Sequence, residues 1–152
     1  MTNIVNILKK IRKMINDENQ NELTTLGKIS RKNDPFKVLI STILSSRTKD
    51  DTTFNATKRL FDQYKNAKEL SKANISDIKR LIKPVAFYKT KPKKIKQVAD
   101  IIYKDYNNHV PNDINQLLEL PLVGRKTANC VLVYGFRKPA IPVDVHVHRI
   151  SN

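Results

Sequence analysis

Cysteine is nearly absent from these 152 residues, with Cys130 standing alone. A single thiol excludes an internal disulfide, and it excludes a zinc or iron–sulfur site built from several thiolates of this stretch. Cys130 sits among Val131, Leu132 and Val133 and reads as a small core residue. Glycine is scarce as well, three against seven prolines, which excludes fibrous repeats and flexible linker tracts. No run of about 18 apolar residues occurs, so no segment reads as a transmembrane helix. Residues 1–15 alternate apolar and basic side chains without a secretory apolar core or a small-residue cleavage site. They are expected to form an amphipathic helix of a cytoplasmic protein. Acids are the minority charge, 14 Asp and Glu against 29 Lys and Arg, giving a formal net charge of +15. From Lys79 to Lys104 there are nine basic residues and one acid, Asp100. That imbalance points to a polyanionic partner. A solvated lysine face and an anionic membrane surface are the other readings of charge alone.

What is present is helix after helix. Apolar residues make up 39%, enough for one core at this length. Ile4, Ile7, Leu8, Ile11, Met14 and Ile15 form a stripe at helical spacing. Asn33-Asp34-Pro35 offers a cap with proline in the first turn. Phe36, Leu39, Ile40, Ile43 and Leu44 then repeat as a core-facing helix. Leu60, Phe61 and Tyr64 mark the buried face of a helix beginning near Asp51. Ser76 is expected to cap a short helix containing Ile78, Leu81 and Ile82, stopped before Pro84. Ile95, Val98, Ala99, Ile102 and Tyr106 form the next stripe, broken by Asn107-Asn108. Asn112 or Asp113 caps Ile114, Leu117 and Leu118. Residues 143–147 alternate with period two but are too few to decide. The chain is therefore expected to be all-α. Residues 16–33 are polar and read as a connector.

The stretch 120–144 carries the chemistry. One helix ends at Leu120-Pro121, and a second, 125–135, begins after Gly124. Glycine there permits close approach of a partner or a positive φ. The first amides of the second helix lack partners inside it and carry the positive end of its dipole, which suits an anion such as phosphate. Arg125 and Lys126 add charge. An ordinary helix–turn–helix corner is the competing reading of the same geometry. The Pro-rich loop that follows delivers Asp144, so an amine at Lys126 and a carboxylate at Asp144 could meet in one cleft. Asp144 could equally serve as the cap of the next helix, and the two roles are compatible.

These residues resemble the helix-hairpin-helix, Gly/Pro-rich-loop, Asp superfamily of DNA glycosylases, in its endonuclease III branch. Leu120-Pro121-x-Val123-Gly124-Arg125-Lys126-Thr127-Ala128-Asn129 is similar to the hairpin. Gly135, Pro139 and Pro142 followed by Val143-Asp144-x-His146-x-x-Arg149 are similar to the loop and its aspartate. Leu44-Ser45-Ser46-Arg47-Thr48-Lys49-Asp50 and Phe87-Tyr88-x-x-Lys91-x-x-x-Ile95 resemble two further family segments. The likeness runs from about Phe36 to the last residue.

The resemblance implies a helical-bundle glycosylase domain. Residues 1–33 would form an N-terminal helix and connector, and 34–136 the helical DNA-binding domain with its hairpin at about 114–135. Residues 137–152 would form the loop and the start of a second helical domain. It implies base-excision repair of duplex DNA containing damaged bases or abasic sites, by a monomer in the cytoplasm, associated with the nucleoid in a prokaryote. Lys126 would be the nucleophile that attacks the sugar C1′, expels an oxidised pyrimidine and forms a Schiff base, after which β-elimination nicks the strand. An amine attacks only when deprotonated, and free lysine holds its proton up to about pH 10.4, so the site has to supply a base. Asp144 would take that part and stabilise the positive charge that develops on the sugar. The lesion must leave the stack first. Ser46 and Arg47, within 45–50, are the candidates for filling the gap, where the family often has glutamine. Leu122, Gly124, Arg125 and Thr127 would contact DNA at the corner.

Two departures from the family pattern stand out. Leu122 occupies a position where glycine is common, which is tolerable if its φ stays negative. Family members of this branch also continue well beyond residue 152 and often hold a [4Fe-4S] cluster with four cysteines. The chain is thus expected to be a fragment of a longer protein or a truncated relative, to hold no cofactor of its own (a [4Fe-4S] cluster would need a further C-terminal segment), and to show weak or absent turnover; the segment 145–152 alone would be a marginal helix. His146 and His148, two residues apart, are not a helical metal pair, and no metal is assigned. His109 lies beside a turn. The adenine-removing mismatch enzymes are similar too but lack a lysine at the hairpin, so Lys126 opposes that reading. A non-catalytic helix-hairpin-helix module that only grips DNA is the remaining alternative.

Overall fold

The computed structural model describes residues 4–18, 29 and 34–151, and the regular elements among them are all helices, without strands. The central helix, α2 (Pro35–Ser45), starts where its cap dictates. Asp34 Oδ1 accepts the amide of Lys37 at 3.0 Å, and Pro35 occupies the first turn. Phe36, Val38, Leu39, Ile40, Ile43 and Leu44 are all buried, so α2 is apolar on more than one face and forms the axis of the bundle. Its buried hydroxyls are satisfied inside the helix, Ser41 Oγ and Thr42 Oγ1 both donating to the Val38 carbonyl at 3.0 and 2.7 Å. Each fully buried aliphatic side chain of this kind contributes about 1.5–3 kcal/mol.

Around α2 pack α3 (Asp50–Gln63), α6 (Lys91–Asp105) and the hairpin helix α8 (Arg125–Cys130). Phe36 meets Phe61 of α3 edge to face, ring centroids 5.8 Å apart. The short helices α4 (Ala67–Ser71) and α5 (Ile75–Ile82) close the far side against α6. Helix α4 has no readable stripe because it is only 5 residues long. It exists through its cap, since Asn66 Oδ1 accepts the Glu69 amide at 3.0 Å while Glu69 returns bonds to the Asn66 side chain and the Lys65 amide. Ser76 does not cap α5. Asn74 holds that position and the helix already runs at Ile75, with Ser76 inside its first turn. The next break is as expected: Asn107 and Asn108 take φ of 50° and 65°, a conformation asparagine tolerates. Asp113, not Asn112, caps α7 (Ile114–Glu119), accepting the amides of Asn115 and Gln116.

Helix α1 (Ile4–Glu18) forms as the periodicity predicts. Its residues Ile4, Val5, Ile7 and Leu8 are nonetheless exposed, so the first turns of this helix stand outside the core. The connector expected over 16–33 lies mostly outside the described residues. Of its described residues, 16–18 continue α1, and Ile29 is helical and buried in the core. The signal in the sequence was Leu23, Leu26 and Ile29, three residues apart in an otherwise polar stretch.

Candidate active site and nucleic-acid surface

The corner between α7 and α8 is built from its apolar ends. Leu120 and Val123 are buried and the Val123 amide donates to the Leu120 carbonyl at 3.1 Å, which pins the turn from beneath. Ala128, the first amide of α8 bonded within it, donates to the Gly124 carbonyl at 2.9 Å. The amides of Arg125, Lys126 and Thr127 precede that bond and have no acceptor inside the helix. Gly124, Arg125 and Lys126 are exposed and Thr127 is half-buried. The positive φ belongs to Leu122, at 63°, while Gly124 is extended with φ −97° and ψ 179°. The expectation that Leu122 keeps a negative φ is therefore overturned, because the turn bends one residue pair earlier than its glycine. Gly124 serves by its size instead: a Cβ there would meet nothing within 4 Å, so the face outside it is open.

From this corner α8 carries Lys126, and at Val131–Gly135 it widens into a π turn. That widening lets Gly135 lie against Pro35 of α2, where an added Cβ would stand 3.1 Å from the proline Cα. The loop 137–144 then doubles back along α8. The Asn129 side-chain amide holds it by donating to the Ile141 carbonyl at 2.9 Å, and Lys138 Nζ anchors it to the Asn112 carbonyl at 2.7 Å. Asn129 has no role that sequence reasoning assigned. Its only signal was its place in the hairpin motif.

This return brings the carboxylate to the amine. Asp144 Oδ2 accepts from Lys126 Nζ at 3.4 Å, and both groups are partly open to solvent. Oδ1 accepts the amides of His146 and Val147, each at 3.0 Å, so Asp144 also caps α9 (Val145–Ser151). The Val147 amide, then Lys126 and the His146 amide, hold the carboxyl below its ordinary value of 3.8, which keeps it a carboxylate. Cys130, one turn beyond Lys126, is buried and desolvation pushes its thiol up, so it is an inert packing residue.

A cleft of about 700 Å³ opens beside the corner. Thr42, Ile43 and Ser46 of the α2 end line one wall, Phe87, Lys89, Thr90, Lys91, Lys93 and Lys94 another, and Leu122 with Thr127 the third. Ser46 and Arg47 are exposed at the α2 terminus. The Arg47 guanidinium lies 5.8 Å from the Phe87 ring centroid. Both residues take left-handed φ, 57° and 59°, and Phe87 is 54% exposed. Sequence reasoning placed Phe87 in a family-like segment without giving it a part. An aromatic residue in a polar loop was the available signal.

Among the described residues no group of three or more His, Cys, Asp or Glu could hold a metal ion. One buried cysteine does not fit a [4Fe-4S] cluster. Also among the described residues, no helix is long and apolar enough to cross a membrane.

The family described as HhH-GPD superfamily base excision DNA repair protein matches residues 40–152. Endonuclease III of Thermotoga maritima is 50% identical over 122 residues, covering 80% of this chain and 57% of that protein. Endonuclease III of Rickettsia prowazekii is 37% identical over 145 residues, covering 95% of this chain and 66% of that protein. The chain thus spans between half and two thirds of these curated relatives. A trapped endonuclease III–DNA covalent intermediate superposes with a TM-score of 0.81 at 32% identity, covering 98% of this chain and 66% of that one. A thermostable thymine-DNA glycosylase superposes at 0.78 with 26% identity, covering 87% and 59%.

Proposed function

Since the chain belongs to the HhH-GPD superfamily of base excision DNA repair proteins, we propose that it removes oxidised pyrimidines from duplex DNA and nicks the resulting abasic site. The observation that carries this reading is the 3.4 Å approach of Lys126 Nζ to Asp144 Oδ2 beside an open corner. Lys126 is the nucleophile. At rest Asp144 holds its ammonium in place. As the reaction begins the ammonium passes its proton to the Asp144 carboxylate, which hands it on to water; the free amine attacks C1′, and the glycosidic electron pair leaves with the base, which takes up a proton from solvent. The C1′–O4′ bond then opens to give the Schiff base, water takes a proton from C2′, and the C3′–O bond breaks as the 3′ phosphate leaves. Once it has released that proton, Asp144 is again a carboxylate and stabilises the positive charge that grows on the sugar.

The corner grips the backbone of the same strand. The amides of Arg125 and Thr127, without acceptors inside the helix, meet the phosphate, Gly124 lets it come close, and Arg125 adds charge. Leu122 offers its exposed side chain to the duplex. Ser46, Arg47 and Phe87 stand across the cleft as the group that enters the stack when the damaged nucleotide turns out. Such work places the protein in the cytoplasm, with the nucleoid in a prokaryote.

Borohydride trapping on abasic duplex tests the reading. A covalent adduct is expected with the chain as it stands, and none with Lys126→Ala, because the Schiff base has no other amine at that place. A folded protein that binds the duplex without forming an adduct would instead make it a DNA-gripping module. An adduct undiminished in the Lys126 variant would remove the lysine from its role.

A further inference from the structure

Lys91 is the one charged side chain buried among the described residues, at 5% exposure. It opens α6 yet reaches back to the end of α2, where Nζ donates to the Leu44 carbonyl at 3.0 Å and the Ser46 carbonyl at 3.1 Å. Those carbonyls belong to a helix terminus, which leaves them without amide donors and favours a cation. The same residue's backbone amide donates to the Phe87 carbonyl at 2.9 Å. Lys91 therefore touches both turns that face the cleft. A second stitch runs alongside, the Ala86 amide donating to Thr48 Oγ1 at 3.1 Å. Between these stitches stand Arg47 and Phe87, each in a left-handed conformation with no glycine to ease it. Backbone of that kind persists only where its surroundings hold it.

We propose that Lys91 is a positioning residue that clips the Arg47 turn to the Phe87 turn, so that the two side chains enter damaged DNA as one prong. The proposal rests on the repair reading above and names how its duplex-probing part is held. A methionine-like stem would fill the same space without the two carbonyl bonds, so packing alone does not account for an ammonium here. Burial brings the Lys91 pKa down to about 8, and the charged form that makes the clip still dominates at neutral pH.

The test uses the 152-residue chain on two duplexes, one unmodified and one carrying a tetrahydrofuran abasic analogue opposite 2-aminopurine. Lys91→Met is expected to bind the unmodified duplex as the parent does. Its preference for the abasic duplex should fall by about tenfold and the 2-aminopurine response should flatten, while Lys91→Arg restores both. Equal loss on the two duplexes, or an unchanged preference, overturns the clip. Should Lys91→Met fail to fold, the parent decides the matter through Arg47→Ala, Phe87→Ala and the double variant. One prong requires their effects on the 2-aminopurine response to be non-additive, and strict additivity overturns it. A parent that forms the borohydride adduct but shows additive losses refutes the clip alone. A parent that neither forms an adduct nor distinguishes the duplexes refutes the repair reading, and the clip with it.

Discussion

The two oxygens of the Asp144 carboxylate face different partners, and the division separates structure from chemistry. Oδ1 caps α9 and Oδ2 meets Lys126. Asparagine can keep the first contact but not the charge of the second. Asp144→Asn is therefore expected to leave affinity for abasic duplex within a few-fold and to lower the rate of adduct formation by about 10²–10³, the usual loss of a group that stabilises developing charge. Single-turnover trapping measures the rate, and equal losses in binding and rate would assign Asp144 to folding. The titration has a definite sign. The folded carboxyl sits below its ordinary 3.8, so its contribution to stability is complete above that value and is lost as pH falls through the folded value. The amide shifts of His146 and Val147 should follow that loss, and in Asp144→Asn they should not. Leu122 makes the complementary point about what one residue hides. Its letter indicates an ordinary turn position, whereas its φ of 63° follows from how the buried Leu120 and Val123 fix the chain on either side.

At the scale of elements, legibility follows length and cap chemistry. Helices α2 and α6 could be read because their apolar positions recur over three or more turns and signals such as Asp34-Pro35 sit at the start. Helix α4 could not, being shorter than one period of evidence for a stripe, and the cap of α5 was misplaced because Asn74 and Ser76 are both good caps. The meeting of Lys126 and Asp144 was legible as a possibility only. What realises it is the loop held by Asn129 and Lys138, whose partners are backbone carbonyls and leave no trace in sequence. The glycines at the two ends of α8 separate the same way. An added Cβ at Gly135 would press within 3.1 and 3.2 Å of Pro35, a rigid ring at the start of α2. Gly135→Ala should lower stability by about 1–3 kcal/mol as overpacking does, although alanine is the better helix former. Gly124→Ala meets open space and should change stability by less than about 0.5 kcal/mol, yet weaken DNA binding by filling the phosphate approach. Urea midpoints at constant slope report the first effect and duplex titrations the second. A reversal of the two, with Gly124 structural and Gly135 indifferent, would contradict this account of the corner.

For the whole molecule the decisive quantity is charge, +15 over 152 residues, because the proposed partner is a dense polyanion. Lysines at 89, 93 and 94 line the cleft, Arg47 stands at its edge, and Arg125 and Lys126 sit at the corner. Their sequence neighbours alone do not reveal that these cations share a surface; the fold supplies that by bringing the starts of α6 and α8 to the end of α2. If about five of them neutralise phosphates, log Kobs for undamaged duplex should fall against log salt with a slope near −4.5, about −0.9 for each contact. Lys93→Gln with Lys94→Gln should flatten that slope by about 1.8 and weaken binding alike on damaged and undamaged duplex, since phosphate contacts position without reading the base. Both lysines are exposed, so the double variant should fold as the parent does. A slope that stays unchanged when they are neutralised would move the DNA path off the first turn of α6. The duplex would then lie along the α8 corner alone, and the cleft would open onto solvent and not onto the damaged nucleotide.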